Sequence, residues 1–152
     1  MALDTQVVEL LGRQRLMGEL LRDRLEIAVP ARDRGVDLIA YADLSQQVKS
    51  FAARPIQMKA FSAIGFSVAQ KYERIADLLL AYVWNLETPQ EAVTFAMSYE
   101  EAVSVAKDMG WTKTRSWKSG AYSTSAPSKK LIARLERHKM TPGRWWHLVV
   151  GR

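Results

Sequence analysis

Behind one long helical pattern the chain sets three extended runs in succession, and that order commits it to a sheet packed against a helix. Asp4 stands where a cap belongs, and the helical pattern runs from it to about Arg24. At 100° per residue, Leu3, Val7, Leu10, Leu11, Met17, Leu20, Leu21 and Leu25 gather on one broad side, the predicted sheet-facing side. Glu26 to Val29 begins an extended stretch that Pro30 interrupts. The turn-like Arg32-Asp33-Arg34-Gly35 follows, and Val36 to Tyr41 then reads as a strand antiparallel to the one before it. A loop or short helix is expected through Lys49. Pro55 to Phe61 reads as the next strand, with Gln57 and Lys59 on one face at period two.

The later elements are shorter. Gly65 to Arg74 fits a short helix, the later part of Ile75 to Trp84 a buried strand, and Val93 to Met97 a further strand. Ser98-Tyr99-Glu100-Glu101 has the form of a capping box and opens a helix to about Met109, which Gly110 ends. Trp111 to Pro127 reads as loop, and Ser128 caps a last helix to about Met140, before Pro142-Gly143. The expected class is α/β, a central mixed β-sheet flanked by helices. With 152 residues and no internal repeat, one domain is expected over 1–152, its core at about 4–110 and a basic, Trp-rich part at 111–152.

No apolar run reaches the roughly 18 residues of a membrane helix, and the first residues lack the pattern of a signal peptide. The absence of cysteine excludes disulfides and thiolate metal sites and suits a reducing cytoplasm. His138 and His147 are the only imidazoles, so any metal must rest on oxygen ligands, which points to magnesium or manganese. Charge is unevenly spread. Residues 1–100 hold 11 Lys/Arg against 13 Asp/Glu, whereas residues 101–152 hold 11 against 3, together with four of the five tryptophans. A basic, aromatic-rich segment on a near-neutral body suggests a surface for polyanions, nucleic acid foremost.

Within this frame, one strand carries Asp37 in Arg34-Gly35-Val36-Asp37-Leu38-Ile39, and the next carries Ile56-Gln57-Met58-Lys59-Ala60. An Asp on one strand followed by Gln-x-Lys on its neighbour resembles the core pattern of the PD-(D/E)XK nuclease superfamily. That resemblance covers about residues 5 to 84 and implies a restriction-endonuclease-like fold, magnesium-dependent hydrolysis of DNA phosphodiester bonds, and a further acid on the first helix. The chemistry suits the residue types. Asp37 offers a hard anionic oxygen to magnesium, and Lys59 a positive charge for the water or the transition state. Gln57 departs from the acidic form of the pattern, giving a neutral amide oxygen where a Glu would add charge.

For the helical acid, Glu9 lies at the edge of the apolar side, whereas Glu19 projects about 80° further round, among Arg15 and Asp23. Glu9 is the choice. The catalytic set is therefore Asp37, Gln57, Lys59 and Glu9, with Asp37 and Gln57 as metal ligands for Mg2+ or Mn2+. Gln70 and Lys71, about one turn beyond the Gln-x-Lys strand, could approach a phosphate but fit a plain surface helix better, and Tyr72 fits simple packing. Lys113, Arg115, Trp117 and Lys118 alternate cations, hydroxyl neighbours and an indole, and Lys129 and Lys130 join a basic helical face; these six are the expected DNA contacts. Trp111 fits a core anchor as well as a base contact, and Trp145 and Trp146 fit packing better than base reading. The expected activity is a metal-dependent endodeoxyribonuclease; the alternative is an inactive DNA-binding or regulatory protein on the same fold, because Gln57 weakens the site. Nucleases that cut both strands commonly act as dimers, so a homodimer stays open beside the monomer.

Overall fold

A computed structural model describes residues 2–43, 45 and 48–151. Asp4 accepts the Gln6 N–H at 2.7 Å and opens α1 (Thr5–Arg22). Strands β1 (Glu26–Ala28), β2 (Leu38–Ala42) and β3 (Ala52–Ala60) follow as an antiparallel meander. The chain then crosses over through β4 (Phe66–Ala69) and a 3-10 turn at Gln70–Arg74 to β5 (Leu79–Trp84), which pairs with β3 in parallel. Strand β6 (Val93–Ser98) returns antiparallel to β5, giving a five-stranded mixed sheet in the order β1-β2-β3-β5-β6. Helices flank it, so the architecture is α/β. The capping box at Ser98 and Glu101 is formed in both directions and opens α2 (Tyr99–Asp108).

Alternation along β5 builds the two layers, since all six of its residues are buried. Leu79, Ala81 and Val83 join α1 and the chain's last helix on one face, while Leu80, Tyr82 and Trp84 join α2 on the other. The last helix, α5 (Arg144–Val150), was not read from the sequence. It is docked by Asp23 at the far end of α1, whose carboxylate accepts the Gly143 N–H at 2.8 Å and the Trp145 N–H at 2.9 Å. Trp145 is thereby fully buried, and Trp111 is buried too, stacked on Tyr122 with ring centroids 4.3 Å apart. Both indoles are core anchors.

Four expectations are corrected. Residues 111–127 are not simply loop: they hold α3 (Arg115–Lys118) and β7 (Ala121–Thr124), which pairs with β4 in a second, two-stranded sheet. The helix expected over 65–74 is therefore half strand. The helix from Ser128 is also shorter, α4 (Lys129–Leu135) running into a 3-10 turn at Glu136–His138. Finally, α1 presents Val8, Gly12, Leu16 and Leu20 to the core and leaves Leu3, Val7, Leu10 and Leu21 exposed. Close approach decided that orientation, because Gly12 lets the helix settle against Ala60 of β3. A Cβ at Gly12 would stand 2.7 Å from the Ala60 Cβ. The segment expected as loop or short helix through Lys49 lies partly outside the described residues.

Among the described residues no helix is long and apolar enough to cross a membrane.

Candidate active site

Unequal strand lengths open the site. β2 pairs with β3 only as far as Leu38 opposite Ile56, so β3 residues 57 to 60 run on past the end of their neighbour. Asp37 stands one residue before β2, not within it, and extends the ladder with both its main chain and its side chain. Its N–H donates to the Ile56 carbonyl at 2.9 Å, and its Oδ2 accepts the Met58 N–H at 2.7 Å. A carboxylate thus occupies the hydrogen-bonding place a further strand residue would take. The turn before it needs Gly35, whose φ is +94° and whose N–H donates to Asp33 Oδ1.

The gap forms a cleft of about 250 Å3 lined by Thr5, Glu9, Asp33, Asp37, Gln57, Met58, Lys59 and Ala60. Helix α1 supplies the first two, the turn and the β2 start supply the aspartates, and β3 supplies the rest. All four residues named for catalysis from the sequence therefore line one cleft. Asp37 and Gln57 are buried, Lys59 is half-buried, and the Glu9 side chain is 59% exposed at the rim. Glu19 is elsewhere and is not solvated, as its helical projection suggested. It accepts from the Thr94 hydroxyl at 2.6 Å, lies 3.4 Å from Arg15 and lines a separate cavity with Asp23 and Trp145. Burial raises its pKa above the ordinary carboxylate value, and the bonds from Thr94 and the Arg15 charge oppose that rise.

Arg13 was missed in the sequence, although it stands one helical turn after Glu9. Its guanidinium lies 3.7 Å from Glu9 and 4.0 Å from Asp37 Oδ1, bridging the two acids. The Asp37 carboxyl is nevertheless held above its ordinary value. Burial is the largest cause and the neighbouring Asp33 and Glu9 charges add to it, while the Met58 N–H and Arg13 oppose it. A carboxylate in that state gains from a cation.

Gln57 bears on whether a divalent cation fits. Its Oε1 is buried and has no hydrogen-bond partner among the described residues, while its Nε2 lies 3.5 Å from the Met58 carbonyl. A buried acceptor left without a donor is costly and is commonly satisfied by water or an ion. Beside it stands an electrostatically strained carboxylate. Those two oxygens, with Glu9 at the rim, suit magnesium, which binds through one or two carboxylates and keeps waters or substrate phosphates for its other positions. They do not make a complete protein cage: among the described residues no group of three or more His, Cys, Asp or Glu is placed to hold a metal.

On its other side the cleft meets a groove of about 690 Å3 lined by Asp33, Arg34, Gly35, Gln57, Lys59, Lys71, Tyr72, Arg74 and Ile75. Four cations face one acid there. The buried Tyr72 ring organises two of them, with Lys59 Nζ 5.5 Å and Lys71 Nζ 5.3 Å from its centroid. Gln70 bonds to the Trp117 carbonyl and to Gly120, which ties the 70–74 turn to α3. Of the expected DNA contacts, Lys113, Arg115, Lys118, Lys129 and Lys130 are exposed. Lys130 donates to the Asp108 carbonyl at 3.3 Å, and Trp117 is half-buried against the core.

No protein-family model, curated protein or solved structure matches this chain.

Proposed function

We propose that the chain is a divalent-cation-dependent endodeoxyribonuclease with a restriction-endonuclease-like fold. The observation that carries this reading is the cleft in which the buried Gln57 oxygen, without a hydrogen-bond partner among the described residues, stands with Asp37, Lys59 and Glu9. Asp37 and Gln57 would hold Mg2+ or Mn2+, which when bound neutralises phosphate charge and acidifies a coordinated water. The chain's own groups do the rest. The Lys59 ammonium, fixed over Tyr72, faces the phosphate and stabilises the charge that develops there. Glu9 at the rim accepts a hydrogen bond from the attacking water, and Arg13 holds that carboxylate toward Asp37. Such an enzyme works on cytoplasmic DNA, and the lack of cysteine suits that compartment.

Nicking of supercoiled plasmid in magnesium or manganese, and none in chelator, is the expected result. Tight DNA binding without nicking in either metal would favour the second reading, an inactive DNA-binding protein, which the neutral Gln57 and the small acidic set support.

The groove beside the cleft suits the DNA backbone, and α3 extends the path through Arg115 and Lys118. Lys71→Ala with Arg74→Ala should lower the slope of log affinity against log salt by roughly two units, about one per lost phosphate contact. An unchanged slope, with the loss appearing only on reversing Lys113, Arg115 and Lys118, would move the backbone off the groove.

Gln57→Glu adds a carboxylate beside Asp37 and should lower the manganese concentration for half-maximal binding by about tenfold. Calorimetric titration without DNA measures this. Equal affinity in both proteins would mean that residue 57 is not a ligand.

A further inference from the structure

The solvent face of α1 carries a second pattern. Val7, Leu10, Gln14, Met17 and Leu21 of α1 recur at alternating spacings of three and four, a heptad seam that Leu3, just ahead of the Asp4 cap, continues along the sequence. Leu10 is 56% exposed and Leu21 55%, Leu3, Val7 and Gln14 are exposed as well, and Met17 is half-buried. The stripe contains no charged residue and points away from Val8, Gly12, Leu16 and Leu20, which bury the opposite face. A helix already anchored on one side has no structural need for an apolar seam on the other.

We propose that this face pairs with the same face of a second copy of the chain, as an antiparallel two-helix seam. Antiparallel pairing puts Leu3 against Leu21, Val7 against Met17, and Leu10 against Gln14, so the six positions match in one register. The flanking charges select the direction. Asp4 and Arg22 share one flank at opposite ends of the helix, and antiparallel copies bring Asp4 of each to Arg22 of the other. Parallel copies would turn this flank toward the opposite one, where Arg13 stands, and bring no Asp4 to an Arg22. Arg22 folds back along its own flank, its Nη2 3.2 Å from where a methyl at Gly18 would stand, and it also lines the cavity of Glu19 and Asp23. On the opposite flank Arg13 is drawn toward Glu9 and Asp37, which lowers the repulsion between the two copies of Arg13. Gln14 opposite Leu10 fixes the register at some cost in affinity.

An 18-residue helix is about 27 Å long, and pairing two buries on the order of 1,000 Å2, the lower end of specific interfaces. The dimer is therefore reversible, with a dissociation constant on the order of micromolar. The seam lies across α1 from the sheet, so the Glu9 cleft stays open in both copies.

Sedimentation velocity over a concentration series from about 1 to about 500 μM, bracketing that affinity, reads the assembly directly. The full chain should pass from monomer to dimer, and Leu10→Glu with Leu21→Glu should stay monomeric throughout. Both positions are more than half exposed, so an unchanged circular dichroism spectrum is expected. Because the chain has no cysteine, engineered thiols report direction. An oxidised mixture of Leu3→Cys and Leu21→Cys proteins should give a covalent dimer, and neither alone should. Phe51, just ahead of β3, is 62% exposed and offers a different apolar contact. A monomer at every concentration overturns the proposal, as do cross-linking of either variant alone and a dimer lost with Phe51→Glu but kept with the two glutamates. A monomer that sediments with anionic lipid vesicles overturns it in favour of a membrane surface.

Discussion

Asp37→Asn is expected to lower metal-dependent DNA cleavage by roughly 10²–10³-fold, the usual loss when one preorganised electrostatic group is removed. Affinity for the same DNA should change by less than about threefold, because Asp37 faces the cleft and not the basic groove. Asn keeps an oxygen for the Met58 N–H, so the ladder between Asp37 and β3 survives the change. The raised Asp37 pKa adds two expectations. Manganese affinity of the wild-type protein should fall as acid protonates the carboxyl, with the limb lying above the ordinary value of 3.8. A pKa raised on folding also means that stability is greatest with the carboxyl protonated and declines as pH rises through the folded value. Without metal, Asp37→Asn should therefore melt higher than wild type near neutrality, and the gap should close as pH falls. A lower melting temperature at neutral pH, or nicking at the wild-type rate, contradicts the assignment.

Gly12→Val should have the second large effect, through the fold. The added Cβ would meet the Ala60 Cβ at 2.7 Å and the Met58 sulfur and Leu86 Cδ1 at 3.3 Å, and the Ala60 contact cannot rotate away. Helix α1 must lift from β3, at a cost of about 1–3 kcal/mol. Glu9, one turn earlier, moves with it. Denaturant unfolding should show the loss of stability, and cleavage at a temperature where the variant is folded should drop as well. A variant with unchanged stability would mean that α1 is not seated on Ala60.

That contact also marks where the sequence stopped being informative. The site's members were legible because their chemistry is local: Gln57 and Lys59 share a strand face by period two, and Asp37 follows a turn that needs Gly35. The caps at Asp4 and Ser98 were legible for the same reason. The seating of α1 was not. Counting apolar residues favoured the leucine-rich side, whereas a glycine, a valine and two leucines made the closer fit. Pairing of β4 with β7 joins residues more than fifty positions apart, and the later strand is only four residues long, with no apolar alternation to mark it in a stretch of Lys, Arg and Ser. The basic groove was hidden by summation. Arg34, Lys59, Lys71 and Arg74 all lie within the first hundred residues, where acids outnumber bases, and only folding separates them from the acids.

A crystal of the full chain soaked in manganese, with anomalous scattering recorded, tests the cleft most directly. One anomalous peak is expected with an Asp37 carboxylate oxygen and Gln57 Oε1 both within about 2.2 Å, a distance typical of oxygen ligands to a small divalent cation. A cleft with no peak at saturating manganese, or a peak bound by Glu19 or at the surface instead, would contradict a metal-dependent nuclease site at Asp37 and Gln57.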